Sequence, residues 1–235
     1  MKSFEQMTAR IPWWMILVAV CIIFTVGTWY WLSKTDDPRM MGIVSGLFSG
    51  LVLYVFGLIT QVTVFNKLEK YRSMGVEALL ENRHDKTYYG PLLSGASDTV
   101  RVMGASATRF IDDFMDADAD NHVLLDRLHA NKRLHVQLLV PTQEFMSPDA
   151  KNRYDAKAGR IEQLKAEFQG RFLIRRFSHE ARHSFVMVDG DFIGGPVFDG
   201  DKSRHAPAVH VVASKPFAVK YSDYFNESWE TSADG

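Results

Sequence analysis

The chain carries 235 residues, with 27 Lys plus Arg against 28 Asp plus Glu and a formal net charge of −1. That balance excludes a global electrostatic attraction to nucleic acid, which needs an excess of positive charge. The single cysteine, Cys21, excludes an intrachain disulfide and agrees with a reducing compartment.

Two stretches near the start, residues 11–33 and 40–66, hold no Asp, Glu, Lys or Arg. Each exceeds the roughly 20 residues that a helix needs to cross a bilayer. Trp13 and Trp14 flank the first stretch on one side, and Trp29, Tyr30 and Trp31 on the other, as interfacial aromatic belts do. A cleaved signal peptide would have a shorter apolar run, about 7–15 residues, and a small-residue cleavage site. Lys2 and Arg10 precede the first stretch, and Lys67, Lys70 and Arg72 follow the second. The expectation is a two-span protein of the inner (plasma) membrane, with both termini cytoplasmic.

Gly42, Gly46 and Gly50 recur every four residues in the second stretch, and Gly57 follows. Ser45 and Ser49 widen that small-residue face, which lets helix backbones approach closely in lipid. It fits packing against the first span and packing against another subunit equally well. The absence of ionisable groups argues against an ion pathway within one hairpin.

Residues 67–89 read as a juxtamembrane helix and linker, with residues 66–73 prolonging the second span and 75–82 a short helix. Residues 90–235 read as one cytosolic domain. Strands are expected at 99–103, 134–140, 172–177, 184–188, 192–193 and 208–213. Helices are expected at 107–116, 121–130, 149–169 and 216–230. In the long one, Tyr154, Ala158, Ile161, Leu164 and Phe168 form a stripe at helical spacing. Strands alternating with helices give an α/β sandwich.

Three local patterns are weighed against plainer readings. Arg171, Arg175, Arg176 and Arg182 form a basic cluster, more often a solvated face than a site. Asp116, Asp118 and Asp120 resemble the start of a calcium loop. Asn121 stands where that loop needs Gly and Arg127 where it needs a bidentate Glu, so an acidic helix boundary capped by Asp120 or Asn121 is expected instead. His179-Glu180-Ala181-Arg182-His183 matches H-E-x-x-H, but it lies between two expected strands with no room for a zinc-binding helix. No metal or cofactor is expected.

The segment from His183 to Asp189-Gly190 is the most informative. Together with 99–106, 134–141 and the closing run through Tyr221, Tyr224, Phe225 and Trp229, it resembles the phospholipase D superfamily over about residues 90–232. The resemblance implies one half-unit, with a dimer bringing one His from each subunit together. It implies His183 as nucleophile and Asp189 as its partner if the chain is an enzyme. The family motif is His-x-Lys, then Asp, then Gly-Ser-x-Asn; the nucleophile attacks phosphorus while Lys and Asn hold phosphate oxygens.

Here Phe185 takes the Lys position, and Gly194-Gly195-Pro196-Val197 replaces the last element. His183 is also one residue too close to Asp189. Strand side chains alternate faces, so this shift turns His183 to the opposite face unless a bulge intervenes. Aligned on Asp189, the catalytic positions become Arg182 and Ser184. The expectation is a degenerate phospholipase D-like domain that keeps a pocket formed by Arg182, His183, Lys202, Ser203 and Arg204.

Chains that join a two-helix membrane hairpin to such a domain resemble bacterial anti-phage effectors of the retron type. That resemblance implies an oligomeric, non-enzymatic effector. Its partners would be membrane lipid, further copies of itself, and a reverse transcriptase–nucleic acid complex or a nucleotide signal. The alternatives are a membrane-tethered phosphodiesterase, nuclease or phospholipase using His183, and a zinc peptidase at His179, Glu180 and His183.

Overall fold

A computed structural model describes residues 13–32, 38–119, 122–197 and 206–234. The chain divides into two compact units, Met1–Tyr71 and Arg72–Gly235.

The first unit is helical. Helix α1 spans Trp13–Leu32, and α2 begins at Pro38 and runs to Ser73. Within α2, Gly42–Gln61 is long and apolar enough to cross a membrane. Its side chains lie open: Leu53 and Phe56 are each about 70% exposed, so it is not the core helix of a soluble fold. The hydroxyls of Thr25, Thr28 and Thr60 donate to the carbonyls of Cys21, Phe24 and Phe56, which satisfies them inside an apolar helix.

The two helices meet where a Cβ on Gly27 would lie 3.7 Å from the Phe48 ring. An open apolar groove of about 760 Å³ runs between them, lined in part by Phe24, Trp31, Ser45 and Phe48. Gly42, Gly46, Gly50 and Gly57 have nothing within 4 Å of where a Cβ would stand. The glycine face is therefore not the surface that α1 packs against.

The second unit is a mixed α/β domain. Its strands are β1 Val76–Leu80, β2 Thr99–Met103, β3 His135–Pro141, β4 Phe172–Phe177, β5 His183–Val188, β6 Asp191–Pro196, β7 Ala208–Val212 and β8 Ala233–Asp234. They form one sheet in the order β1-β7-β6-β5-β2-β3-β4-β8. The β2–β3 and β3–β4 pairs are parallel and the others antiparallel.

Helices α3 Lys86–Ser94, α4 Thr108–Phe114, α5 Val123–Ala130 and α6 Pro148–Glu167 cover one face. They bury Leu93, Ile111, Leu124 and Leu164 against Val100, Val136 and Val188. Helix α7, Pro216–Thr231, covers the other face, with Ala218 and Phe225 packed on Phe185, Met187 and Phe192. Strands β2 to β7 each supply both cores by alternation.

Three local expectations change. Residues 75–82 form strand β1 rather than a helix. Val76, Ala78 and Leu80 are half-buried while Glu77 and the 80% exposed Leu79 are exposed, and β1 pairs with β7 with a register shift between Val76 and Ala78. Five residues are too few for period 2 to be told from a helix by sequence, and pairing with β7 decides it. Helix α3 was not expected; Asp85 caps it, accepting from the backbone N–H groups of Thr87 and Tyr88. In α6 the stripe holds at Tyr154, Ile161, Leu164 and Phe168, but Ala158 is exposed. Helix α5 is preceded by His122; Asp120 and Asn121, the expected caps, lie outside the described residues.

Candidate functional site

The residues read as catalytic all belong to β5 and its two ends. Pairing with β6 is continuous, His183 opposite Pro196, Phe185 opposite Gly194, and Val188 opposite Asp191. No bulge interrupts it, so side chains alternate faces along the whole strand. His183, Phe185 and Met187 lie on the α7 face, while Ser184, Val186 and Val188 lie on the opposite face.

The His183 ring stands edge-on to Tyr221 (5.3 Å between centroids) and Tyr224 (5.8 Å). Its Nδ1 is buried without a hydrogen-bond partner. Burial, and then the Arg182 charge, push its pKa down, so the ring is neutral near pH 7. Phe185, two residues after His183, is 1% exposed and surrounded by the rings of Phe192, Tyr221 and Phe225. Gly194 makes room for it, since a Cβ there would collide with Phe185.

Asp189 lies at the far end of the strand, away from His183. Its backbone is left-handed, φ +46°, in the turn to β6. Its carboxylate accepts from Ser97 N (2.7 Å), Ser97 Oγ (2.9 Å), Asp98 N (3.0 Å) and Thr99 N (2.8 Å). It is a clamp on the approach to β2. Burial raises its pKa, but the hydrogen bonds from Thr99, Ser97 and Asp98 outweigh that and hold it below the usual carboxylate range.

The H-E-x-x-H run supplies no helical face. His179 and Glu180 lie between β4 and β5, and His183 opens a strand. Among the described residues, no three His, Cys, Asp or Glu side chains converge as metal ligands. The basic cluster also disperses into structural roles. Arg171 donates to the carbonyls of Leu128 and Asn131, Arg175 to that of Trp229, and Arg176 to the Tyr154 hydroxyl. Arg182 is exposed. Lys202, Ser203 and Arg204 lie outside the described residues.

Two features escaped the sequence reading. The Tyr88 hydroxyl is 2.6 Å from His210 Nδ1, and His210 Nε2 is 2.9 Å from Asp191. This chain of hydrogen bonds ties α3 to β6 and β7 through a His that is 6% exposed.

The second lies on the Ser184 face. A cavity of about 40 Å³ is lined by Arg83, His84, Tyr89, Asp113 and Ser184, among others. Arg83 is 3% exposed. Its Nη2 donates to the Pro196 carbonyl at 2.6 Å and its backbone N–H to the Ala206 carbonyl at 3.1 Å, but Nε and Nη1 have no partner among the described residues. Burial pushes its pKa down, and the group stays charged. His84 is pushed down to about 4, by burial first and then by Arg109, with Arg83 and Arg153 adding and Asp113 opposing. Arg83 sits in a run of mixed polar residues, 81–87, with no pattern that marks a buried cation.

No protein-family model matches the chain, and no curated protein matches its sequence. Among solved structures it is similar to TrmBL2, an archaeal chromatin protein described as showing a novel mode of DNA binding. Identity is 12% and the TM-score 0.48, over 82% of this chain and 70% of that one. It is also similar to Nuc, a phospholipase D family member from Salmonella typhimurium, at 13% identity and a TM-score of 0.36 over 64% of this chain and 90% of that one. NucT from Helicobacter pylori is similar at 11% identity and a TM-score of 0.43, over 65% and 92%.

Proposed function

We propose that this chain is a membrane-anchored effector whose degenerate phospholipase D-like domain binds a signal or partner instead of hydrolysing a phosphodiester. The observation that carries this is the uninterrupted register of β5 on β6. It puts His183 behind α7 and leaves Arg182 and Ser184 at the positions where the family holds its nucleophile and cation. Phosphoryl transfer needs the nucleophile and the cations on one side of the phosphorus. Here a neutral His and a buried Phe occupy one face, and a Ser the other.

The finer reading places both α1 and α2 in the inner membrane as a hairpin with cytoplasmic termini. The setting is an anti-phage system, with a nucleotide or a reverse transcriptase–nucleic acid complex as trigger. The hairpins assemble and disturb the bilayer. Expression with the neighbouring genes, followed by a membrane-potential dye, tests this. Depolarisation on triggering is the expected result, and its absence under every trigger removes the reading. His183→Ala is expected to depolarise as fully as the parent. Loss of activity in that variant would instead favour the phosphodiesterase alternative, to which the unpartnered Nδ1 lends some support.

Self-association is expected to run along Gly42, Gly46 and Gly50, which nothing among the described residues covers. Small residues let helices of two subunits approach until their backbones touch. Gly46→Leu is therefore expected to weaken the oligomer about tenfold or more, which corresponds to about 1.4 kcal/mol, because the Leu side chain holds the two backbones apart. Cross-linking in detergent micelles at graded dilution measures it; an unchanged oligomer would move the interface elsewhere.

A further inference from the structure

We propose that Arg83, His84 and Ser184 form a buried site for a single phosphoryl group. The site deepens the sensing role proposed above, and rests on it for its biological meaning. Three observations lead to it.

The first is the unpaired charge. A guanidinium taken out of water costs several kcal/mol unless its donors are met, and native proteins meet them. Arg83 is almost wholly buried, yet Nε–H and both Nη1 hydrogens have no acceptor among the described residues. The carboxylate on the same cavity, Asp113, is engaged by Lys86 at 2.6 Å. An incoming anion would supply the missing acceptors through charge-assisted hydrogen bonds.

The second is size. About 40 Å³ holds a few water molecules or one compact oxyanion. It has no room for a sugar or a base, so only the phosphoryl end of a larger molecule enters.

The third is the arrangement of donors. Arg83 and His84 come from the loop between β1 and α3, and the Ser184 hydroxyl from β5. Donors from separate elements suit a tetrahedral group better than a planar carboxylate. Holding an anion there needs a positive charge among these donors. The charge itself comes from Arg83, which lies outside residues 90–232, the stretch that resembles the phospholipase D superfamily.

The test uses the full chain in detergent micelles, titrated with inorganic phosphate at constant ionic strength and followed by thermal unfolding and ³¹P line width. The parent is expected to show saturable stabilisation by phosphate and none by chloride. Arg83→Met is expected to weaken binding at least tenfold. Ser184→Val fills the cavity from the opposite wall and leaves the Arg83–Pro196 bond in place. It is expected to weaken binding similarly, and decides the matter if Arg83→Met does not fold.

No saturable effect in the parent, or equal effects in parent and variants, overturns the site. Acetate binding as tightly as phosphate overturns its phosphoryl class. Adenosine monophosphate and dioctanoyl phosphatidic acid, run beside phosphate, identify the carrier by which binds more tightly; if neither does, free phosphate is the ligand. Binding is read without any depolarisation, so the site and the effector role can fail separately.

Discussion

Phe185→Ala is expected to cost about 3–5 kcal/mol of stability, the range for removing a large aromatic side chain from a packed core. Phe185 is 1% exposed, with the rings of Phe192, Tyr221 and Phe225 at 5.5, 5.6 and 6.3 Å between centroids. Gly194 beneath it has no side chain to fill the void. Urea unfolding of the full chain in micelles, followed by circular dichroism and by hydrogen exchange of the β5 amides, measures the loss. A cost below about 1 kcal/mol would mean that this face repacks freely, against the close packing typical of interiors. Phe185→Lys, which restores the residue type of the family motif, is expected to do worse. It forces an ammonium among rings and returns no phosphate ligand to the Ser184 face. At this position the departure from the motif is a core requirement.

The second large effect is expected at Asp189. Removing the carboxylate in Asp189→Ala strips the acceptors from Ser97 N, Ser97 Oγ, Asp98 N and Thr99 N at once. It also leaves an Ala at φ +46°, where a side chain without local hydrogen bonds is strained. Charge-assisted hydrogen bonds are worth about 1.5–3 kcal/mol each when buried. Asp189 is exposed, so water recovers much of that, and a total near 2 kcal/mol is expected. Amide exchange at Ser97, Asp98 and Thr99 should accelerate together. Exchange that stays unchanged there would show that the clamp is not what holds the approach to β2.

The pH dependence follows from the depressed carboxyl. A folded-state pKa below the unfolded one adds stability that is present above the unfolded value, about 3.9. That stability is lost as pH falls through the folded value. The parent should therefore lose stability on the acid side below about pH 4, and Asp189→Asn should lose less of it there.

His183 and Asp189 were legible in the sequence as a pair because both residue types and the Asp-Gly turn stand out. Their roles were not. Six residues of strand put them at opposite ends of β5, one against α7 and one under the start of β2. The one-residue spacing shift did carry information: with period 2 and no bulge, it forecast that Ser184, not His183, faces the other side of the sheet. The basic cluster disperses likewise. Arg182 is exposed, and the basic side chains at 171, 175 and 176 hold carbonyls or a Tyr hydroxyl.

By itself the sequence determined the properties that depend on neighbours along the chain. Among these are the apolar length of Gly42–Gln61, the strands β2 to β7, the apolar stripe of α6, and the small-residue spacing of α2. Each is a local pattern of hydrophobicity or hydrogen-bonding capacity, repeated at the period of its element. Only the tertiary structure decided which face of α2 stays open, that residues 76–80 pair as an edge strand, and that Arg83 loses its water. The first depends on where α1 packs; the other two depend on residues more than a hundred positions away, Pro196, Ala206 and the strand β7, and burial is a property of the assembled fold. A charged run such as 81–87 looks solvated until β6 and β7 close over its one arginine.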